Sequence, residues 1–380
     1  MATVKKSVEV NDGKARKKGL QLSLFELIEN SESEYSNTIE LYDALPKYVW
    51  DKPDDLRENS VITRNFKSRG VVYTVKIKPA VIERRNPAGD MVSVLLYPGS
   101  REEIVEEALR KIAINGNSFE SEADKNVGVF FTVSQLCKEL ARTNHTYSNQ
   151  EVVEALDVMS SSLLECSLGT KGKGRDMYRG NFLTSLALTS RDQYLEDGST
   201  KCFATFHPLV THGIRTQKFR LYDYSISMGL KSDLARYMYK RMSHYWTQAS
   251  LENPYSIKLV SFLTGSPRGL SPKMKDNMRA MRSALKALVE DKVLLPDWDE
   301  KVIKDVNDRR VTQDVAYAML PHENFVKHMM RANRKHNEIV SQAQLADARS
   351  TLKGATKAKD NNADGPGDRA SDELFDESQT

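Results

Sequence analysis

Several things that would fix a function at once are missing from this sequence of 380 residues. Its three cysteines, Cys137, Cys166 and Cys202, form no CxxC pair, and an odd, scattered set suits a reducing compartment better than a disulfide scaffold. No apolar run approaches the ~18 residues of a membrane span, and the basic start lacks the apolar region of a secretory signal. The seven histidines supply neither HExxH nor a His-hydrophobic-His trio, and GxSxG is absent. His207 and His212 flank Pro-Leu-Val-Thr, which reads as structural. Tyr237, Tyr239 and Tyr245 share a helix with an apolar face and read as packing residues, not nucleophiles. Enzyme, metal and cofactor are therefore not expected, and a cytoplasmic protein is. Large apolar residues are also scarce: 39% of the chain is hydrophobic and 28% charged, which suits modest cores and tails rather than one enzyme core.

What is present is a repeated element order. Residues 1–19 are basic and aperiodic, and residues 341–380 are poor in large apolar side chains and end acidic, so both read as disordered tails. Val71–Lys78 alternates and Met91–Tyr97 is β-rich, with turn residues at Asn86–Asp90 between them, which predicts a hairpin. Ser100, with Glu103 three residues on, predicts the start of a helix through Ile112. A strand at Val127–Phe131 and a helix capped by Thr132 follow. After a polar turn comes a longer helix capped by Ser148, then strand-like sequence around a basic glycine-rich turn, Gly169–Arg175. That is the order of a winged helix-turn-helix. It recurs in a helix capped by Ser232, a strand at Tyr255–Ile257 and a short helix at Leu259–Leu263. A helix opened by Ser271-Pro272 and two β-like stretches at Lys292–Leu295 and Val315–Leu320 complete the second unit. The expected architecture is α+β: two tandem winged helix-turn-helix domains, 60–229 with the preceding hairpin and 230–335, between disordered tails.

The chemistry concentrates in the last helix. Over Lys273–Val289, Met274, Met278, Met281, Leu285 and Leu288 make one stripe. Lys275, Arg279, Arg282 and Lys286 make a second, at spacings of 4, 3 and 4. On a lone helix such a stripe is most often a solvated face. As the third helix of a winged unit it predicts a recognition helix, with Lys273, Asn277 and Ser283 completing the DNA-facing set. The matching helix of the first unit carries Glu151, Glu154 and Asp157, which phosphates repel. Only its start, with Tyr147, Asn149 and Gln150, suits DNA, so the first unit is assigned auxiliary contacts, chiefly from Lys171, Lys173 and Arg175. That turn has the GxxxxG spacing of a phosphate loop, but Arg175-Asp176 stands where Lys-Ser/Thr is required. It is either a DNA-contacting wing or a plain turn.

Gln21-Leu22-Ser23-Leu24-Phe25 follows the basic tail, in a segment spanning about 20–30. Leu-Phe pairs are usually core residues, but on a tether they can fill an apolar groove with Gln21 as orienting hydrogen-bonder. This pentapeptide, followed by Glu26, resembles the sliding-clamp-binding motif of bacterial replication proteins. It stands as in the TrfA-type plasmid replication initiators (Rep family). The resemblance continues through Thr63-Arg64-Asn65, through Leu230–Arg236 and Pro254–Leu259, and into the basic helix, covering roughly 20–300. It implies tandem winged-helix domains that bind directly repeated sites (iterons) in double-stranded origin DNA, and a clamp contact through Gln21–Phe25. It further implies the host DnaA and replicative helicase as partners, monomeric and dimeric forms, and a bacterial, plasmid-associated location. Departures from the family are expected at both ends, with a shorter stretch before the motif and a longer one beyond the second wing. The alternative is a winged-helix transcriptional regulator or autorepressor with no replication role; a rolling-circle-type nicking enzyme is the remaining, weaker reading.

Overall fold

Polar caps fix where the helices begin, and the helix order fixes the architecture. The computed structural model describes residues 35–50, 61–68, 70–122, 124–168, 177–189 and 201–360. The first unit opens with β1 (Tyr35–Ile39), β2 (Ile62–Ser68), β3 (Val71–Lys78), β4 (Ala80–Arg85) and β5 (Met91–Leu96). Then come α1 (Ser100–Ile112), β6 (Ser118–Glu120), β7 (Val127–Phe131), α2 (Val133–Arg142), α3 (Asn149–Ser161) and β8 (Leu163–Leu168). It closes with β9 (Met177–Asn181), β10 (Leu183–Ala187), β11 (Cys202–Phe206), α4 (Pro208–Arg215), β12 (Phe219–Asp223) and α5 (Tyr224–Gly229). The second unit is shorter: α6 (Asp233–Tyr245), β13 (Tyr255–Lys258), α7 (Leu259–Thr264), α8 (Met274–Glu290), β14 (Leu294–Lys304) and β15 (Thr312–Pro321). A last helix, α9 (Glu323–Asp360), follows.

Thr132, Ser148 and Ser232 each accept a hydrogen bond from the backbone N–H three residues on, at 3.0, 3.2 and 3.3 Å, and so start α2, α3 and α6. At α1 the cap is one residue earlier than expected: Glu102, not Glu103, takes the Gly99 N–H at 2.8 Å. In the second unit β13, β15 and β14 form one antiparallel sheet in that order, a plain winged-helix arrangement. The first unit elaborates it. Its wing strands β8 and β9 are extended on the other side by β3 and β2, giving a four-stranded sheet, and β10, β11, β7 and β6, in that order, form another.

Two expectations are corrected here. The turn at Asn86–Asp90 does join a hairpin, but the partner of Met91–Leu96 is Ala80–Arg85, while Val71–Lys78 pairs with β2 and β8. Pro79 ends one strand and the chain bends into the next, a break the alternation hides. Residues 341–360, read as part of a disordered tail, continue α9 as helix to Asp360. The first half of α9 is docked by Phe325, Met329, Ala332 and Ile339, and a nucleated helix propagates cheaply through the Ala-, Arg- and Lys-containing sequence beyond.

Helix α1 is buried on both sides: its apolar stripe packs inward, and Glu102, Glu103, Glu106, Glu107, Arg110 and Lys111 are all buried too. Residues 35–50 cover that polar side and supply partners to most of it. Trp50 donates to Glu103 at 2.9 Å, Tyr48 to Glu106, Arg110 to Asp43 at 2.7 Å, and Lys111 to the Tyr35 carbonyl at 2.7 Å. The same segment is tied to the sheet by β1, which pairs with β12. Gly213 of α4 allows β1 to close, because a Cβ there would collide with Ile39.

The two units meet across α1 and α6. Lys240 of α6 bonds Glu107 and lies 3.7 Å from Asp43, Ser100 donates to Asp233 at 2.6 Å, and Thr38 bonds His244 at 2.8 Å. Burial raises the Asp43 carboxyl, but Arg110, Lys240 and Lys47 outweigh it and hold it well below the usual carboxylate range. Trp50 packs against both hydrophobic cores. α9 crosses the seam as well, with Phe325 and Met329 in the second core and Ala332 and Ile339 in the first.

Candidate nucleic-acid interface

Helix α8 docks on its own domain through Met281, Ala284, Leu285 and Leu288, all fully buried, with Met274 and Met278 at the margin. One helical face further round, Lys275, Arg279, Arg282 and Lys286 are exposed together, and Lys273 and Ser283 are exposed beside them. Among the described residues Arg279 pairs only with Asp276 on its own helix, at 3.0 Å, and its side chain stays 81% exposed, so a phosphate can displace that partner. Arg282 is held differently. It grips Glu300 of β14 with two hydrogen bonds, the Nε one at 2.9 Å, and that pairing lowers the Glu300 carboxyl. Arg282 therefore links the helix to the base of the wing. Lys275 and Lys286 have no carboxylate partner among the described residues.

Asn277 does not belong to this face. It is 1% exposed, and its amide is spent inside the protein. Its oxygen accepts from the Ser271 N–H at 2.9 Å and from Arg268 at 3.1 Å, and its nitrogen donates to the Ser271 carbonyl at 2.8 Å. This clasp holds the chain in a turn as far as Ser271, and Lys273 remains extended. The helix consequently starts at Met274 rather than at Ser271-Pro272. Helical spacing alone put Asn277 on the polar surface; the preceding turn folds over it.

The wing adds cations to which the sequence reading assigned no role. Between β14 and β15 the tip is turned by Asp305, which accepts the backbone N–H groups of Asn307 and Asp308 at 2.8 and 3.1 Å. Lys304, Arg309 and Arg310 are exposed around it, and Val306 is 91% exposed at its end. The Arg-Arg pair in a polar stretch between two β runs was the available signal.

The first unit presents no such helix. β4 lies along α3, and its Arg84 takes Glu154 with two hydrogen bonds of 2.8 and 2.5 Å, while Arg101 adds a third contact at 2.9 Å. The hairpin of β4 and β5 thus occupies the outward side of α3 that a recognition helix keeps free. Asn149 and Gln150 are exposed at the start of α3, but Tyr147 packs against the core and Asn149 accepts a hydrogen bond from the Cys137 thiol at 3.2 Å. Lys171, Lys173 and Arg175 lie outside the described residues, as does Gln21–Phe25.

His207 is fully buried, stacks on Tyr42, accepts the Leu209 N–H at 3.1 Å and is pushed down to about 4 by burial. His212 is exposed, against Tyr178. Tyr237 and Tyr239 are buried in the second core. Among the described residues no group of three or more His, Cys, Asp or Glu side chains is placed to hold a metal ion, and no helix is long and apolar enough to cross a membrane.

No family model matches this chain, and no curated protein matches it. Among solved structures it is similar to two crystal structures of domains 2 and 3 of RctB, each at 10% identity and TM-score 0.43. They cover 75% and 74% of this chain and 98% and 97% of their own. It is also similar to the Pi initiator protein crystallised with iteron DNA, at 10% identity and TM-score 0.39, over 59% of this chain and 91% of that one.

Proposed function

We propose that this chain is a DNA-binding replication initiator that recognises directly repeated sites at a bacterial plasmid origin. One observation carries the DNA-binding part: the basic stripe of α8 stands exposed beside a basic wing, on a helix whose opposite side is fully docked. In this reading Lys273, Lys275, Arg279, Arg282, Ser283 and Lys286 face the duplex, joined by Lys304, Arg309 and Arg310 of the wing. Arginines in the major groove favour guanine through paired donors to O6 and N7. Asn277 positions the helix instead of touching DNA. The first unit makes auxiliary contacts, with Asn149, Gln150 and the turn at Lys171, Lys173 and Arg175. The chain acts by binding and carries out no reaction on the DNA.

The replication part is supported by the Gln21–Phe25 motif, which a pure repressor has no use for. The sliding clamp is the partner it fits, with DnaA and the replicative helicase as the further partners the family resemblance implies, and the bacterial cytoplasm as the place.

Selection of binding sites from random duplexes, followed by Arg279→Ala, tests the first part: one preferred sequence is expected, and the variant loses that preference. Capture of the polymerase clamp by the intact chain, abolished by Leu24→Ala/Phe25→Ala, tests the second. No capture by the intact chain would make a winged-helix transcriptional regulator the better reading. A nicked product from supercoiled origin plasmid with magnesium or manganese would sink the non-enzymatic one.

A further inference from the structure

The four-stranded sheet of the first unit has two unlike faces. Its inner face buries Phe66, Val75, Ile77, Leu164 and Cys166. Because side chains alternate along each strand, the outer face is made of the residues between them, and the register lines these up in rungs across the sheet. One rung runs Thr63, Lys76, Glu165, Arg179; the next runs Asn65, Thr74, Ser167, Met177. Lys78 lies beyond the first rung, and Lys67 beyond the second, opposite Val72.

Among the described residues the face carries four cations, Lys67, Lys76, Lys78 and Arg179, against the single carboxylate of Glu165. Glu165 is shared by Arg179 at 3.1 Å and Lys78 at 3.7 Å. Lys67 and Lys76 are exposed and form no ion pair among the described residues. At about 4.8 Å between strands and about 6.8 Å between alternate residues, these cations spread over an area roughly 14 Å across the strands and roughly 20 Å along them. Between them stand hydroxyl and amide groups, Thr63, Asn65, Thr74 and Ser167, the kind of side chain that contacts phosphate oxygens without reading bases. Among the described residues only Val72, Leu163 and Met177 interrupt the polar surface, too few and too dispersed for an apolar protein partner.

We infer that this outer sheet face is a second nucleic-acid surface, one that binds the phosphate backbone of duplex DNA without sequence preference. The assignment rests on the reading of the chain as a DNA-binding protein and goes beyond α8. It gives the first unit a means of holding DNA although its own third helix is covered by the hairpin of β4 and β5.

The test compares the full chain, Lys67→Ala/Lys76→Ala/Arg179→Ala and Arg279→Ala on a duplex containing the selected site and on one lacking it, across a salt titration. All three changed side chains of the sheet are exposed, and an unaltered melting temperature verifies the fold. Each phosphate contact contributes about 0.9 to the slope of log affinity against log salt, so the triple variant should lose up to about 2.7 on both duplexes with its base preference intact. Lys67→Arg/Lys76→Arg/Arg179→Lys should restore the slope. An unchanged slope in the triple variant, while Arg279→Ala loses base preference, overturns this inference alone. Failure of the unaltered chain to bind either duplex overturns the DNA-binding reading with it.

Discussion

Replacing Lys240 by methionine removes one cation from the seam between the units and leaves its shape nearly unchanged. The Lys240 ammonium is 7% exposed and serves two carboxylates, Glu107 in direct contact and Asp43 at 3.7 Å. Burial alone raises the Glu107 carboxyl; Lys240 and Arg110 outweigh it and hold it ionised. Without Lys240, Glu107 keeps only Arg110, at 3.6 Å, and the Tyr222 hydroxyl, and Arg110 is already committed to Asp43. Breaking a buried pair from one side costs about 3–5 kcal/mol, because the partner stays charged and desolvated. That is a large fraction of the 5–15 kcal/mol typical of a folded protein. For a chain of this size it corresponds to a fall in melting temperature of roughly 5 °C. Trp50 at the seam and Trp246 in the second core make intrinsic fluorescence in urea a suitable assay. Lys240→Met/Glu107→Leu should recover part of the loss, with a coupling energy of roughly 1–3 kcal/mol. A Lys240→Met cost below about 1 kcal/mol, or strictly additive single changes, would show that the seam is solvated and the charges are independent.

Three further outcomes are expected. His207 has its folded pKa lowered to about 4, so below the unfolded value of about 6.5 the unfolded chain binds a proton the folded one refuses; its contribution is intact above pH 6.5 and is lost as pH falls to 4, by roughly 3 kcal/mol in all. Melting curves of the chain and of His207→Leu across that window should converge, and parallel curves would refute the burial argument. Asn277→Ala should cost about 2–3 kcal/mol, the value of its buried hydrogen bonds, while base preference measured well below the melting temperature stays as it was; lost preference in a stable variant would return Asn277 to the DNA face. Glu300→Gln frees Arg282 and removes a carboxylate beside α8, so duplex binding should tighten by about 1 kcal/mol at low salt and not at high salt, and weaker binding would mean that Arg282 must be held by Glu300 to work.

The parts of this fold that are legible in the sequence are those determined within a dozen residues. Thr132, Ser148 and Ser232 announce their helices because a cap satisfies its own first turn. The methionine–leucine stripe of α8 marks its docked side, and the alternation from residue 71 to 78 marks a strand. Pairing partners are not local, so the hairpin was assigned the wrong strand and the link between β1 and β12, some 180 residues apart, left no trace. The charges of α1 look like a solvated face until residues 35–50 are laid over them. Asn277 shows the same limit within the site. Its spacing is that of a surface residue, and only the turn before the helix decides that its amide points inward. The acidic outward side of α3 is legible in the sequence, but the two arginines that cover Glu154 lie 70 and 53 positions earlier in the chain and leave no local sign.

The covered α3 and the charged seam have one physical consequence between them. An apolar seam tolerates sliding, since dispersion and area change little over small shifts. A seam built from Glu107, Lys240, Asp43 and Arg110 does not, because hydrogen bonds to buried charges lose most of their energy when misaligned and nothing nearby replaces them. α9 adds a covalent strap whose apolar contacts fall in both cores. The second unit is therefore held at one orientation to the first, and the exposed stripe of α8 stands in a fixed relation to the sheet of the first unit. With α3 occupied by Arg84 and Arg101, the first unit has no helix to compete for a groove. In the proposed reading, what it offers DNA is charge on a rigid mount, which fixes position without reading sequence, and base selection is left to α8.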